Sequence, residues 1–273
     1  MHNATDTEKV TVFYHSPCPD GAAAAWAAYK RWGDSAHYIG INHGESQNIH
    51  DLIMQNIDAD THVVFADFTP PIDKKNGSPF KLMDEIAENS KDVVVYDHHA
   101  SAIRDMQSYH NPKVTLVMDA KRSGASIVYN ELFPRKRLPQ AVQLVEMIDL
   151  EHTHKSDFFS IAAYIDSLPI HTVTEAIESF EHVNNMPLED IIKQGKPIRR
   201  SNSIAIEKTM NSAAWTKIEI LPGSNPIYVP IINANPQLLG REFSIRLREL
   251  AEHSAPGFVA LSWFEDNGVV RVS

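Results

Sequence analysis

The chain has 273 residues, 43% apolar and 22% charged, an ordinary soluble globular composition with enough material for one large core or two smaller ones. One cysteine, Cys18, excludes an internal disulfide framework and fits a reducing compartment. The formal net charge is −10: residues 1–189 carry 15 Lys+Arg against 27 Asp+Glu, leaving 10 against 8 for residues 190–273. That balance argues against binding of long duplex nucleic acid, which needs many cations on phosphates. It leaves room for a short phosphorylated ligand or for divalent cations among carboxylates, although an acidic excess also serves solubility.

The polar start MHNATDTEKV shows no signal peptide, and no apolar run reaches the length of a membrane span, so a cytoplasmic setting is expected. Val10–Tyr14 reads as a first strand, followed by the loop HSPCPDG and a small-residue helix over Ala22–Arg31. Short strands are expected at Tyr38–Asn42 and His62–Phe68, a helix over Pro79–Asn89, and strands at Asp92–Tyr96 and Val114–Met118. Helices follow at Ser123–Leu132, Leu138–Asp149, Phe158–Leu168 and Val173–Val183, and a long one from Leu188 to about Ala213. From Lys217 a second alternation begins, with strands in KIEILP and PIYVPIINA and a helix near Gly240–His253. It ends in a hairpin turning at Asp266-Asn267-Gly268. Alternating strands and helices predict an α/β fold with a mainly parallel sheet.

In such sheets ligands gather beyond the carboxyl ends of the strands. The polar sequences after strands one, three and four are HSPCPDG, DFTPP and DHHAS, which share one rim if the sheet is parallel. An acid and two imidazoles directly after the β-branched run DVVVY are costly to bury unless something pairs with them. Asp at three strand ends, with His at two of them, points to metal-ligand clustering.

These segments resemble the DHH phosphoesterase superfamily, named for the Asp-His-His that stands here as Asp97-His98-His99. YHSPCPDGAAAAW is similar to its first motif, FADFTPP to its second, KRSGASIVYNEL to its Ser-Gly-Ala helix start, and EMIDLEH to its fourth acidic position at Asp149. Order and spacing agree over roughly residues 10–165, and VPIINANPQ…GFVALSWFEDNGVVRVS is similar to the start of the associated C-terminal domain. The resemblance implies a catalytic domain over 1–170, a helical linker over 171–212 and a smaller α/β domain over 213–273, with the active site in the cleft between domains.

Members are mostly metal-dependent phosphoesterases, usually using manganese; they include RecJ-like exonucleases, enzymes degrading very short RNAs, cyclic dinucleotide phosphodiesterases, exopolyphosphatases and pyrophosphatases. Carried over position by position, the resemblance implies that Asp20, Asp67, His98 and Asp149 bind metal, with Asp67 bridging two ions. It also puts His99 beside the substrate phosphate and gives Asp97 the orienting of a neighbouring histidine, so that Asp97, His98 and His99 form the catalytic set. The chemistry agrees: two divalent ions about 3.5–4 Å apart acidify a water and clamp the attacked phosphoryl group, and carboxylate with neutral imidazole suits manganese-type ions.

Two departures stand out. Cys18 occupies the place of an expected aspartate: either it is a softer ligand favouring zinc, or His15 takes that role and Cys18 is filler. His15, with or without Cys18, is expected to complete the first ion's shell. The last strand stops at Val272-Ser273, where relatives continue into a glycine-rich, His-containing segment that contacts substrate. Arg246 and Arg271 are candidate substitutes.

Lys121, Arg122 and Ser123 precede a helix start, a natural anion site, and Ser123 serves equally as a cap. His43 lies near the same rim; His152 and His154 are expected to be solvated, and Arg135-Lys136-Arg137 to be a solvated turn. Trp215, Trp263 and Phe264 are either core or base-stacking residues. The expected activity is hydrolysis of short oligonucleotides or cyclic dinucleotides to mononucleotides with two Mn2+. The alternatives are a pyrophosphate or polyphosphate hydrolase, or a non-catalytic nucleotide-binding protein with a degenerate site. Neither long duplex nucleic acid nor a membrane is an expected partner, and a homodimer is compatible with all of this.

Overall fold

The structure is a computed structural model and describes residues 8–42, 49–73, 79–219, 223, 225–252, 261–266 and 269–272. Five strands, β1 (Lys9–His15), β2 (Ala36–Ile41), β3 (Thr61–Ala66), β4 (Asp92–Asp97) and β5 (Val114–Met118), form one sheet in the order β2-β1-β3-β4-β5. Every pairing in it is parallel. All five carboxyl ends therefore open on one rim, and the central strands are covered on both faces, which is why β1, β3 and β4 read as nearly continuous apolar runs. Val12, Phe13, Val63, Phe65, Val93 and Val95 are fully buried, and Phe13 stacks on Phe65 with ring centroids 5.3 Å apart.

Helix α1 (Pro19–Trp32) buries Ala22 to Ala28 completely, apart from the edge of Trp26. Methyl side chains let its backbone approach its neighbours closely. Helices α2 (Ile49–Met54), α3 (Lys81–Glu88) and α4 (Ala100–Met106) add to a core built on Ile53, Met83, Ile86 and Met106. Sequence periodicity shows neither α2 nor α4, because each has seven residues or fewer and so lacks two full turns of apolar spacing. Helices α5 (Gly124–Leu132) and α6 (Gln140–Asp149) follow.

Downstream come α7 (Phe158–Ile165), α8 (Val173–Asn185) and α9 (Leu188–Met210). Strands β6 (Ala214–Ile218), β7 (Ile227–Asn233), β8 (Leu261–Asp266) and β9 (Val269–Val272) form a second, mixed sheet, with α10 (Pro236–Glu252) between β7 and β8. Among the described residues, β7 with β8 is the one parallel pairing of this sheet. The protein is thus an α/β fold with a five-stranded parallel sheet and a smaller mixed-sheet unit. One compact unit comprises 1–156 with 168–187, the other 157–167 with 188–273; the stretch 171–212 is divided between them. In the second unit Ile206, Ile232, Phe243 and Leu247 form the core. β8 and β9 pair as the expected hairpin arms. Asn267 and Gly268 of its turn lie outside the described residues, as does His43.

One boundary matters for the site. The strand expected over His62–Phe68 ends at Ala66 because Asp67 takes a positive φ of 57°, turning the chain out of the sheet.

Candidate metal centre

The site is built from the ends of five elements. β1 ends at His15; after the intervening Ser16-Pro17, Cys18 leads into α1, whose first turn carries Asp20. Asp67 follows β3, Asp97 closes β4 with His98 and His99 after it, and Asp149 closes α6. Two glycines make the approach feasible. A Cβ at Gly21 would lie 2.0 Å from the His15 carbonyl oxygen, and one at Gly124 would lie 2.5 Å from Asp67 Cβ.

These residues converge. His98 Nε2 lies 3.3 Å from Asp67 Oδ1, 3.5 Å from Asp20 Oδ2 and 3.5 Å from Asp149 Oδ2. His15 Nδ1 is 3.4 Å from Asp67 Oδ2. Three groups place their donor atoms within 4.8 Å of one another: His15, Cys18 and Asp67; Asp67, His98 and His99; and Asp20, His98 and Asp149. Asp67 belongs to two of them and so does His98, so the groups are contiguous.

Around them the backbone holds the acids in place. The Asp20 carboxylate accepts the N–H groups of Gly124 (2.6 Å) and Ala125 (3.0 Å), the first amides of α5, where the helix dipole also favours an anion. Asp97 Oδ1 accepts from the His98 and His99 amides and from His99 Nδ1 at 2.7 Å, while Thr69 Oγ1 donates to Oδ2. With the proton fixed on Nδ1, the tautomer of His99 is set.

The charge balance favours a cation. Asp20, Asp67 and Asp97 are each at most 2% exposed. Burial, then Asp67 and Asp149, push the Asp20 carboxyl well above the ordinary carboxylate range. Burial also acts on Asp67, but the His15, His98 and His99 imidazoles outweigh it and hold this carboxyl down at about 2. For His98 burial is overridden by Asp67, Asp20 and Asp149, which lift it to about 9. Neither buried oxygen of Asp67 receives a hydrogen bond of ordinary geometry. A buried carboxylate in that condition costs several kcal/mol unless a charge compensates it. Oxygen and imidazole donors converging on it fit a hard or borderline divalent cation.

No protein-family model matches the sequence, and no curated protein matches it. Solved structures do. CDC45 from Entamoeba histolytica is 10% identical with a TM-score of 0.51, the match covering 95% of this chain and 82% of that one. The fold resembles that of CDC45 over most of both chains. Exonuclease RecJ bound to manganese is 12% identical over 94% of this chain and 75% of that chain, with a TM-score of 0.47. RecJ from Thermus thermophilus in complex with Mn2+ is 13% identical over 97% of this chain and 44% of that one, also with a TM-score of 0.47. At these identities the likeness is one of fold.

Other highlighted residues are placed differently. Cys18 lies beside Asp67 in the first donor group, yet burial, then Asp67 and Asp20, drive its thiol pKa far up, so without a cation it is a thiol. Ser123 is fully buried and caps α5, accepting the Ser126 N–H at 3.2 Å. The Arg122 guanidinium donates to the Ser126 carbonyl at 2.6 Å. Arg246 belongs to the second unit, 2.6 Å from Glu242 Oε1. His152 and His154 pack on each other, with ring centroids 5.8 Å apart, and join none of the three donor groups. Sequence reasoning singles out neither Thr69 as a site residue nor the α5 amides as the cradle of Asp20. The signal for both is present, in the threonine after DF and in the Ser-Gly-Ala helix start.

Proposed function

We propose that the protein is a divalent-metal-dependent phosphodiesterase that hydrolyses short oligonucleotides or cyclic dinucleotides. The observation carrying this is the contiguity of the donor groups through Asp67 and His98, an arrangement suited to adjacent cations. His15, Asp67, Asp20, His98 and Asp149 would hold the metal, manganese being the natural choice for this oxygen and imidazole set. When bound, such cations supply a nucleophilic hydroxide at neutral pH and counter-charge for the phosphoryl oxygens.

The chain's own residues account for the rest. Asp67, in the middle of the imidazoles, keeps its negative charge at any physiological pH. The α5 amides hold Asp20 in a fixed orientation, so it needs no reorganisation when a charge arrives. Asp97 fixes the His99 ring, and its hydrogen bond outweighs burial and raises the His99 pKa. His99 is 38% exposed, accessible enough to donate a hydrogen bond to a phosphoryl oxygen. The acidic surface disfavours long polyanions and fits a short substrate.

The test is turnover of a short RNA, a cyclic dinucleotide and pyrophosphate with added manganese, beside Asp67→Ala and His98→Ala. Hydrolysis of either phosphodiester by the wild type, lost by roughly a thousandfold or more in both variants, is the expected result. Preferential pyrophosphate hydrolysis moves the substrate to the phosphoanhydride class. Binding of all three without turnover supports the second reading, a non-catalytic nucleotide binder. That reading is favoured by one observation, that Cys18 stands beside His15 and Asp67 where an additional acid would strengthen the first donor group.

A further inference from the structure

The C-terminal halves of α1 and α5 carry a second concentration of chemistry. Trp26 and Lys30 lie four residues apart on one face of α1, and Tyr129 lies near the end of α5 with Phe133 directly after the helix. With Lys136 and Arg137 from the following loop they line a groove of about 240 Å³. None of the six belongs to the metal centre. That centre sits at the first turns of the same helices, six to ten residues away along α1, which is about 9–15 Å of helix.

One wall is aromatic: Tyr129 and Phe133 have ring centroids 4.8 Å apart. Lys136 Nζ lies 4.9 Å from the centre of the Phe133 ring, which draws this exposed ammonium over the wall. At the opposite side Lys30 is 2.9 Å from Glu181 Oε2, which also accepts the Trp26 indole N–H at 3.1 Å. Glu181 thus neutralises Lys30 and ties down the indole. Lys136 and Arg137 form no ion pair with any carboxylate among the described residues, in a region where acids outnumber bases 27 to 15. Asn184 adds an amide at the rim. Half-buried Phe133 and buried Tyr129 form the floor beneath these exposed cations.

We propose that this groove binds a mononucleotide, its base against the Phe133–Tyr129 wall and its phosphate on Lys136 and Arg137. Guanidinium and ammonium groups recognise phosphate, and a flat π-face recognises any base. The volume is below the ~300–1,000 Å³ of sites for drug-sized ligands, which suits a single nucleotide partly open to solvent.

The test is calorimetric titration of the full chain with AMP in the presence of a chelator, so that the metal centre contributes nothing. One AMP per chain is expected, with adenosine and inorganic phosphate each weaker by roughly tenfold or more. K136E/R137E should weaken AMP at least about tenfold, and K136Q/R137Q several-fold, with unchanged melting temperature since both side chains are exposed. Asp67→Ala should bind AMP as the wild type does, which separates this site from the metal centre. The proposal is overturned if the wild type does not bind AMP, if K136E/R137E binds it unchanged, if inorganic phosphate binds as tightly as AMP, or if Asp67→Ala abolishes binding.

Discussion

At the scale of single residues, the centre depends on groups that the fold holds in costly states. Asp67 adopts a left-handed backbone conformation and is buried without ordinary hydrogen bonds to its oxygens. Both features are unfavourable alone, and both place the carboxylate among three imidazoles. Gly124 permits this, so Gly124→Ala should cost about 1–3 kcal/mol through overpacking against Asp67 and should abolish manganese binding, checked by thermal melts and calorimetry. Asp97→Asn removes the charge that fixes His99; turnover should fall about 10–100-fold with the far-ultraviolet spectrum unchanged. A surface histidine gives a pH prediction free of the metal centre. His50 lies between Asp51 and Glu85, whose hydrogen bonds raise it above the ordinary 6.5. A raised folded-state pKa means its contribution is complete below 6.5 and lost as pH rises through the raised value. Nuclear magnetic resonance should place the His50 midpoint above 6.5, and the melting advantage of wild type over H50Q should shrink on going from about pH 5.5 to alkaline pH. The effect is small, since this side chain is largely exposed.

At the scale of elements, the site consists of polar residues at the ends of apolar ones. That is why most of it was legible in the sequence. VTVFY, HVVFADF and DVVVYDHH each announce a buried strand and then the acid or imidazole it delivers. The parallel order is what brings His15, Asp67 and His98 to one rim. What was not legible depends on backbone rather than residue type. The cradle of Asp20 is two amides over a hundred residues away. α4 starts directly after His99 and has seven residues, too few to show a period. The end of β3 at Ala66 follows from a left-handed backbone angle at Asp67, which aspartate tolerates but the apolar pattern of HVVFADF does not announce. Cys18 shows the same limit: the sequence left it as ligand or filler, and its proximity to Asp67 emerges only from the fold. Ala24 of α1 is fully buried, so Ala24→Leu should destabilise by about 1–3 kcal/mol in chemical denaturation. Ser123→Ala should cost about 1 kcal/mol by loss of the α5 cap, and weaken metal binding through the shifted amides that hold Asp20.

At the scale of the whole molecule, the acidic excess, the absence among the described residues of any helix long and apolar enough to cross a membrane, and the parallel-sheet unit belong to one account. Carboxylates are gathered at a rim where cations can neutralise them, and the second unit has its own small core and sheet. The central claim is that side chains distant in the chain form a cage for divalent cations through Asp67 and His98. The most direct measurement is the manganese content of the purified, manganese-equilibrated protein by mass spectrometry, beside Asp67→Ala. The account predicts about two ions per wild-type chain and a loss in the variant that still melts cooperatively. A wild-type protein that retains no manganese or zinc, or a variant that binds as many ions as the wild type, would contradict it.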